Sequence, residues 1–240
     1  MRLLVDTHTH TVASGHAYST LKENVEYARD TGMEAICSAD HGPGIRGGAP
    51  DFIIGVLASL PESMEGVRVF CSTEANILDY DGHVDIPDRF LKLTEFAIAS
   101  LHDIVIDPGT REQNTAAMAA ALHNPFIDVI GHPGNPYYDI DRETVVREAK
   151  KLDKLIEIND HSFLYRKGSA PNCKDFLALC KKHGVRITVS SDAHICYRVG
   201  GFGLAEAAIL EAEFPQELIV SRNLEAFNGY IRERKSRLKD

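Results

Sequence analysis

The sequence predicts an α/β fold built on a mostly parallel sheet, and three observations carry that prediction. Seven short apolar, β-branched-rich runs recur along the chain, each with the length and near-continuous hydrophobicity of a strand covered on both faces. Longer helix-like segments lie between or after them, the alternation that lays helices over a parallel sheet. Each run also ends in side chains able to ligate a metal or form hydrogen bonds, so polar residues collect at one end of every predicted strand. An open doubly wound sheet and a closed barrel both satisfy this pattern, and periodicity does not separate them.

Taken in order, "LLVDTH" is the first strand; it ends at His8, with His10 just beyond. "STLKENVEYARDTG" follows as a helix, in which Thr20 and Glu23 have the spacing of a capping box and Gly32 supplies the stop. "EAICSADH" ends in Asp40 and His41, and "VRVFCSTEAN" carries Glu74 near its end. Residues 42–66 and "DYDGHVDIPDRFLKL" have the least regular pattern. "EFAIASLH" ends in His102 and precedes the helical "NTAAMAAALHN". "DVIGHP" carries His132 and precedes "RETVVREAKKL". "KLIEIND" ends in Glu157 and Asn159 and precedes "CKDFLALCKKHG". "VRITVSSDAH" ends in Asp192 and His194, and two helices, "FGLAEAAILEAEF" and "RNLEAFNGYIRERKSR", follow it.

Composition narrows the class. The 240 residues are 44% hydrophobic and 25% charged, ordinary for a globular chain and long enough for one α/β barrel or two smaller domains. There is no run of about 18 apolar residues, so no transmembrane helix is expected. "MRLLVDTHTH" turns polar after four residues, unlike a signal peptide, and the expectation is a soluble cytoplasmic protein with no membrane partner. Five cysteines, an odd number without a C-x-x-C pair, argue against a disulfide framework; Cys37 and Cys71 read as small core residues. A net charge of −9 without a basic stripe argues against nucleic acid as a partner. The basic C-terminal "RERKSRLKD" reads as a solvated last helix with its cations at the negative end of the dipole. Acidic charge still allows an anionic substrate, because bound divalent cations reverse the local field.

The placement of the histidines says more than their number. Strand C-termini converge on one face of a parallel α/β fold, where barrel enzymes keep their active sites, so residues distant in sequence should meet there. Side chains at i and i+2 share a strand face, which groups Asp6, His8 and His10, and likewise Asp192 and His194. Six of eleven histidines (His8, His10, His41, His102, His132 and His194) stand at strand ends, and His16 follows in the first loop. One strand-end histidine is ordinarily a hydrogen-bonded structural residue; repetition across strands points to a polynuclear metal site. Imidazole and carboxylate without thiolate suit Zn, Mn or Fe. His83, His123 and His183 read as loop or helix-end residues, and His161 is given no role.

The motifs "DTHTH", "ADHG", "TEAN", the separate His102 and His132, and "SDAH" resemble the PHP (polymerase and histidinol phosphatase) family. Within it, "VASGHAYSTL", "EAN", "GHPGNP", "EIN", "SFL", "RKGS" and "SDAH" are similar to the YcdX-type bacterial phosphatases, and the likeness spans nearly the whole chain. It implies one domain over residues 1–240, folded as a distorted, TIM-like (β/α)7 barrel of parallel strands with surrounding helices. It also implies phosphoester hydrolysis at a centre of three divalent ions, zinc in the nearest relatives and Mn or Fe elsewhere in the family. The implied ligands are His8, His10, His16, His41, Glu74, His102, His132, Asp192 and His194. His8, His10, Glu74 and Asp192 would hold one ion; Glu74 would bridge to a second on His102 and His132; His16, His41 and His194 would hold the third. Glu74, Asp192 and His194 stand nearest the chemistry as ligands, with a metal-activated hydroxide as nucleophile.

On that footing Arg166 and Lys167 are candidates for the substrate phosphate, and Asp6 and Asp40 for orienting ligand histidines. Asn76 and Asn159 would touch substrate or cap strands, and Tyr137 and Tyr138 would wall the pocket or pack on the rim. The expected partner is a small phosphorylated substrate, with homo-oligomerisation left open. The rival readings are a PHP-type nuclease, a histidinol phosphate phosphatase, and a non-enzymatic metal-storage or metal-sensing protein.

Overall fold

The computed structural model describes residues 2–239. All seven predicted runs form strands: β1 (Val5–Thr9), β2 (Ala35–Ser38), β4 (Val67–Asn76), β5 (Phe96–Ser100), β6 (Val129–Ile130), β7 (Leu155–Asn159) and β8 (Ile187–Ser190). An eighth, the two-residue β3 (Ser63–Met64), lies in the segment with the least regular pattern and pairs antiparallel with the start of β4. The seven pair in parallel in the order β1-β2-β4-β5-β6-β7-β8. The surrounding helices are α1 (Leu21–Asp30), α2 (Ile53–Leu57), α3 (Asp88–Leu91), α4 (Arg111–Ala121), α5 (Arg142–Lys151), α6 (Asp160–Leu164), α7 (Ser169–His183), α8 (Gly203–Glu211) and α9 (Leu224–Arg237). The predicted capping box opens α1, with Thr20 and Glu23 bonding reciprocally. Among the described residues no helix is long and apolar enough to cross a membrane.

The ambiguity between open sheet and barrel is resolved at the two ends of the sheet. β1 and β8 meet without a regular ladder: Thr9 bridges to Ala193, His10 N donates to the Ala193 carbonyl at 2.9 Å, and the Thr7 and Thr188 hydroxyls bond at 2.7 Å. The result is a nearly closed, distorted barrel. Asp6 is the clamp of this seam. Its buried carboxylate accepts from Ser191 N at 3.0 Å, from Gly200 N at 2.8 Å and from the Ser191 hydroxyl. Burial pushes the Asp6 carboxyl up to about 6, against these donors. Asp6 therefore orients no histidine ring, contrary to expectation. The i, i+2 spacing puts it near His8, but its side chain lies where the barrel closes.

The barrel interior divides into an apolar lower half and a polar upper half. Val5, Ala35, Phe70, Phe96, Val129 and Leu155 fill the lower half, together with Phe227, Tyr230 and Ile231 from α9. The Phe227 ring stands edge-on to Phe70 and Phe96, at 4.8 and 5.3 Å. Arg234 is 3% exposed and places Nε 2.8 Å from both oxygens of buried Asp128, which also accepts from the Tyr230 hydroxyl at 3.0 Å. The remaining Arg234 nitrogens donate to the Thr94 and Phe126 carbonyls, each at 3.0 Å. The last helix is thus a plug rather than the solvated element its charge suggests. Charge density alone does not reveal that one of its arginines has a buried partner.

Truncating the plug should be costly. Phe227→Ala should lower stability by about 3–5 kcal/mol through transfer and cavity terms, read as a fall in the urea midpoint. A loss within a few tenths of a kcal/mol would mean that α9 does not complete the barrel core.

Candidate metal centre

The polar half of the barrel lies at the strand C-termini. His8 is on β1 and His10 one residue past it; His41 follows β2; Glu74 is on β4; His102, His132, Asp192 and His194 follow β5, β6 and β8. His16 comes from the first loop. All nine predicted ligands meet at this one end. Glu74 is the centre of the cluster: Oε1 lies 2.9 Å from His132 Nε2 and 3.3 Å from His102 Nε2, while Oε2 lies 2.8 Å from His41 Nδ1, 3.1 Å from His8 Nε2 and 3.6 Å from His10 Nε2. Asp192 Oδ1 lies 3.1 Å from His10 Nε2 and 3.8 Å from His8 Nε2. Two ligands of one tetrahedral ion with bonds of 2.0–2.1 Å stand about 3.3 Å apart, so these separations suit shared coordination. The remaining pair, His16 Nε2 and His194 Nε2, is 2.9 Å apart. His41 stands between groups: its Nδ1 faces Glu74 while its ring stacks on His16 at 5.0 Å.

Ring orientation is set by the atoms behind each imidazole. His8 Nδ1 donates to Glu157 Oε1 at 2.7 Å, His102 Nδ1 to Asn76 Oδ1 at 2.7 Å, His16 Nδ1 to the Ser14 carbonyl at 3.1 Å and His194 Nδ1 to the Asp192 carbonyl at 3.0 Å. His10 Nδ1 donates to the Ser14 hydroxyl at 2.9 Å, which in turn donates to Asp40 at 2.6 Å. An acceptor on Nδ1 fixes the proton there and turns the Nε2 lone pair inward. The two lone pairs of His16 and His194 then face each other at 2.9 Å, which is repulsive unless a cation or proton lies between them. His8 Nε2, His41 Nδ1 and Glu74 Oε2 are buried without any hydrogen-bond partner. Orphaned lone pairs pointing into one small space fit divalent cations, and the N/O donor set suits zinc or a similar ion.

These contacts revise several expectations. Asp40 touches no imidazole; it accepts from Thr11 N, the Thr11 hydroxyl and Ser14, and reaches His10 only through Ser14. Asn76 and Asn159 touch ligands and caps rather than the cavity: Asn76 holds His102, and Asn159 caps α6 while donating to Glu157 and Asp192. Tyr137 is half exposed on the cavity wall, whereas Tyr138 is buried with its hydroxyl on the Ile106 carbonyl at 2.7 Å. Sequence reasoning places Glu157 at a strand end but gives it no role. Besides His8, it accepts from the Ser190 hydroxyl at 2.7 Å and from the backbone N of His132. Its signal was its place two residues before Asn159 on a strand that ends at the cluster.

Burial and charge act against each other here. Burial favours protonating Glu74, yet His8, His102 and His41 hold its carboxyl well below the ordinary range. Asp192 is likewise held low, against burial, by His8, His10 and Arg166. His8 is pushed down by burial but raised well above the usual imidazole value by Glu74, Glu157 and Asp192. Burial and neighbouring rings lower His10 strongly and His16 to a lesser extent; burial and Arg166 lower His132. Rings kept neutral are rings ready to ligate. Two of these residues also occupy left-handed backbone, His132 at φ 29° and Asp192 at φ 54°, a strain that surrounding structure must hold. Glycine at 131 is required beside them, because a Cβ there would collide with the Ser100 hydroxyl and Ile98.

Two cavities open onto the cluster. One of about 300 Å³ is lined by the candidate ligands other than His8 and His10, together with Asp103, Ile104, His161 and Arg166; the other, of about 430 Å³, by Asp103, Asn135, Tyr137, Arg166 and Lys167. Arg166 borders both, with NH2 3.3 Å from Asp192 Oδ2 and NH1 3.0 Å from the Ser162 hydroxyl. Lys167 is exposed and borders only the second.

Known proteins resemble this chain over nearly its whole length. The model of the PHP domain matches residues 6–227. A probable phosphatase of Acetivibrio thermocellus is 46% identical over 239 residues, covering 100% of this chain and 99% of that protein. A probable phosphatase of Caldicellulosiruptor saccharolyticus is 47% identical over 232 residues, covering 97% of each. Among solved structures, the histidinol phosphate phosphatase of Lactococcus lactis, complexed with zinc, L-histidinol and phosphate, superposes with a TM-score of 0.63 at 20% identity, over 90% of this chain and 95% of that one.

If Glu157 orients the cluster, Glu157→Gln should weaken metal binding by about 10–100-fold, measured by competition with a chromogenic chelator. Parental affinity in that variant would remove Glu157 from this role.

Proposed function

The chain belongs to the PHP domain family, and from that premise we propose that it is a metal-dependent phosphatase acting on small phosphate monoesters, with residues 1–240 forming one catalytic unit. The observation that carries the reading is the set of inward-facing imidazole lone pairs around Glu74, bordered by one arginine at the mouth of a cavity. Three divalent ions are proposed: one on His8, His10, Glu74 and Asp192, one on Glu74, His102 and His132, and one on His16 and His194 completed by His41. Zinc is favoured, in keeping with the zinc in the L. lactis neighbour, and Mn or Fe would use the same donors. When bound, such ions supply Lewis acidity, lowering the pKa of water and offsetting phosphoryl charge.

The chain's own residues do the rest. Glu74 presents one oxygen to each of two ligand groups and so keeps them in fixed register. Asp192 turns Oδ1 to the histidines and Oδ2 to Arg166 and Asn159, tying the guanidinium to the cluster. Arg166 keeps donors free of Asp192 and Ser162 for phosphoryl oxygens, in the fork geometry suited to them. The alcohol portion would extend into the larger cavity past Tyr137, with Lys167 as a second, exposed cation on its rim.

Metal-loaded protein should hydrolyse p-nitrophenyl phosphate, and chelation should abolish the activity until metal is restored. No turnover with Zn, Mn or Fe between about pH 6 and 10, where such ions generate hydroxide, would sink the phosphatase reading. Glu74→Gln should deplete ions from two groups together, seen by elemental analysis; full retention of all ions would remove its bridging role. Arg166→Ala should raise KM and the inhibition constant of inorganic phosphate in parallel by about 10–100-fold, the worth of one or two charged hydrogen bonds. An unchanged KM would place Arg166 outside substrate binding.

A further inference from the structure

We propose that His161 hands its ring proton to the departing alcohol as the phosphoester bond breaks, a role that rests on the phosphatase reading above. Seven of the eleven histidines stand in the cluster, and His83, His123 and His183 pair with Asp79, Glu148 and Glu143 at 2.8–2.9 Å. His161 alone has no hydrogen-bonding or ion-pairing partner for its ring among the described residues. Yet it is half-buried, and it lines the same cavity as His16, Glu74, Asp192 and His194. Its ring lies 6.0 Å from that of His194 and packs on Tyr165 at 4.4 Å.

The ring is also held in place. It projects from α6, whose first turn is capped by Asn159 accepting from Ser162 N at 3.0 Å. Asp160 anchors the same turn by accepting from Leu204 N and Ala205 N at 2.8 and 2.9 Å. A fixed imidazole with both nitrogens uncommitted, on the cavity that Arg166 and the cluster share but outside the proposed ligand set, has the geometry of a proton donor. The other polar non-ligand groups on this cavity serve less well: Asp103 is solvent-exposed, and a guanidinium such as Arg166 does not release its proton. A phosphoryl dianion docked in this cavity would attract the protonated form of the ring.

In the step itself, the oxygen of water bonds to phosphorus while the bond from phosphorus to the alcohol oxygen breaks. The bonding pair stays on that oxygen, which takes the His161 proton. The proton lost by the attacking water returns to the ring through solvent. The products are the alcohol and inorganic phosphate.

The test is leaving-group dependence. The parent, His161→Ala and His161→Asn would be compared on p-nitrophenyl phosphate, phenyl phosphate and glycerol phosphate, with metal content measured for each. A proton donor matters most for the poorest leaving group. Both variants should therefore lose about 100-fold or more in kcat on glycerol phosphate and only a few-fold on p-nitrophenyl phosphate, with metal content unchanged. An equal loss on all three substrates, or no loss, overturns the proposal, and loss of metal from the variants would make His161 a ligand instead. A parent inactive on every ester fails the phosphatase reading itself, whereas an active parent with uniform losses fails only the role of His161.

Discussion

One buried carboxylate organises this molecule. Glu74 is near the C-terminal end of the longest strand, fully enclosed, with nitrogens of five histidines within 3.6 Å of its two oxygens. An isolated carboxylate in such surroundings is costly to bury, and His8, His102 and His41 offset that cost by favouring its charged form. The arrangement becomes favourable only with positive charge between the groups. The positions of His8, His41, His102 and His132 at four different strand ends follow from this requirement, since no single strand could surround one carboxylate. The barrel is the fold that brings enough strand ends to one point.

The support for that point lies behind the rings. Glu157 joins His8, Ser190 and the backbone of His132, three elements that are otherwise adjacent only through the sheet. Ser14 serves His10, the His41 backbone and Asp40 together, and its carbonyl serves His16. Under the proposed grouping, removing one such hub would misalign candidate ligands of more than one group, so these positions matter beyond their own contacts. The strained backbone at His132 and Asp192 fits the same scheme. Each side chain is directed inward by a conformation that the hydrogen bonds on either side hold in place.

Much of this was legible in the sequence because two simple signals coincide. A strand buried on both faces leaves a continuous apolar run, and a site at strand ends leaves a polar residue just after that run. "VRITVSSDAH" and "EFAIASLH" display both at once. The less legible features depend on long-range partners. Asp6 shares a face with His8 by spacing, but barrel closure brings Ser191 and Gly200 to it first. Arg234 looks like one more surface cation of "RERKSR" until Asp128, 106 residues away, is found beneath it. Asp40, expected to orient a ligand histidine directly, instead serves His10 through a serine. Periodicity reports which face a residue takes, not which residue of another element meets it there.

The division of the barrel interior has a consequence for how folding and metal binding are coupled. The lower half is apolar and sealed by Phe227, Tyr230 and Ile231, so it needs no ion to be stable. The upper half holds opposed lone pairs and unpartnered polar atoms, which favour separation when no cation is bound. Strain is thus confined to the strand ends and first loops, above a core that holds the strands in register. Metal binding should therefore tighten the site more than it creates the fold, unlike a small metal domain whose only core is the ion. The apolar floor also keeps water from approaching Glu74 from below, which sharpens every charge interaction above it. The plug at one end and the chemistry at the other are in this sense one device: a dry floor makes the buried carboxylate depend on the cations that the histidines are turned to hold.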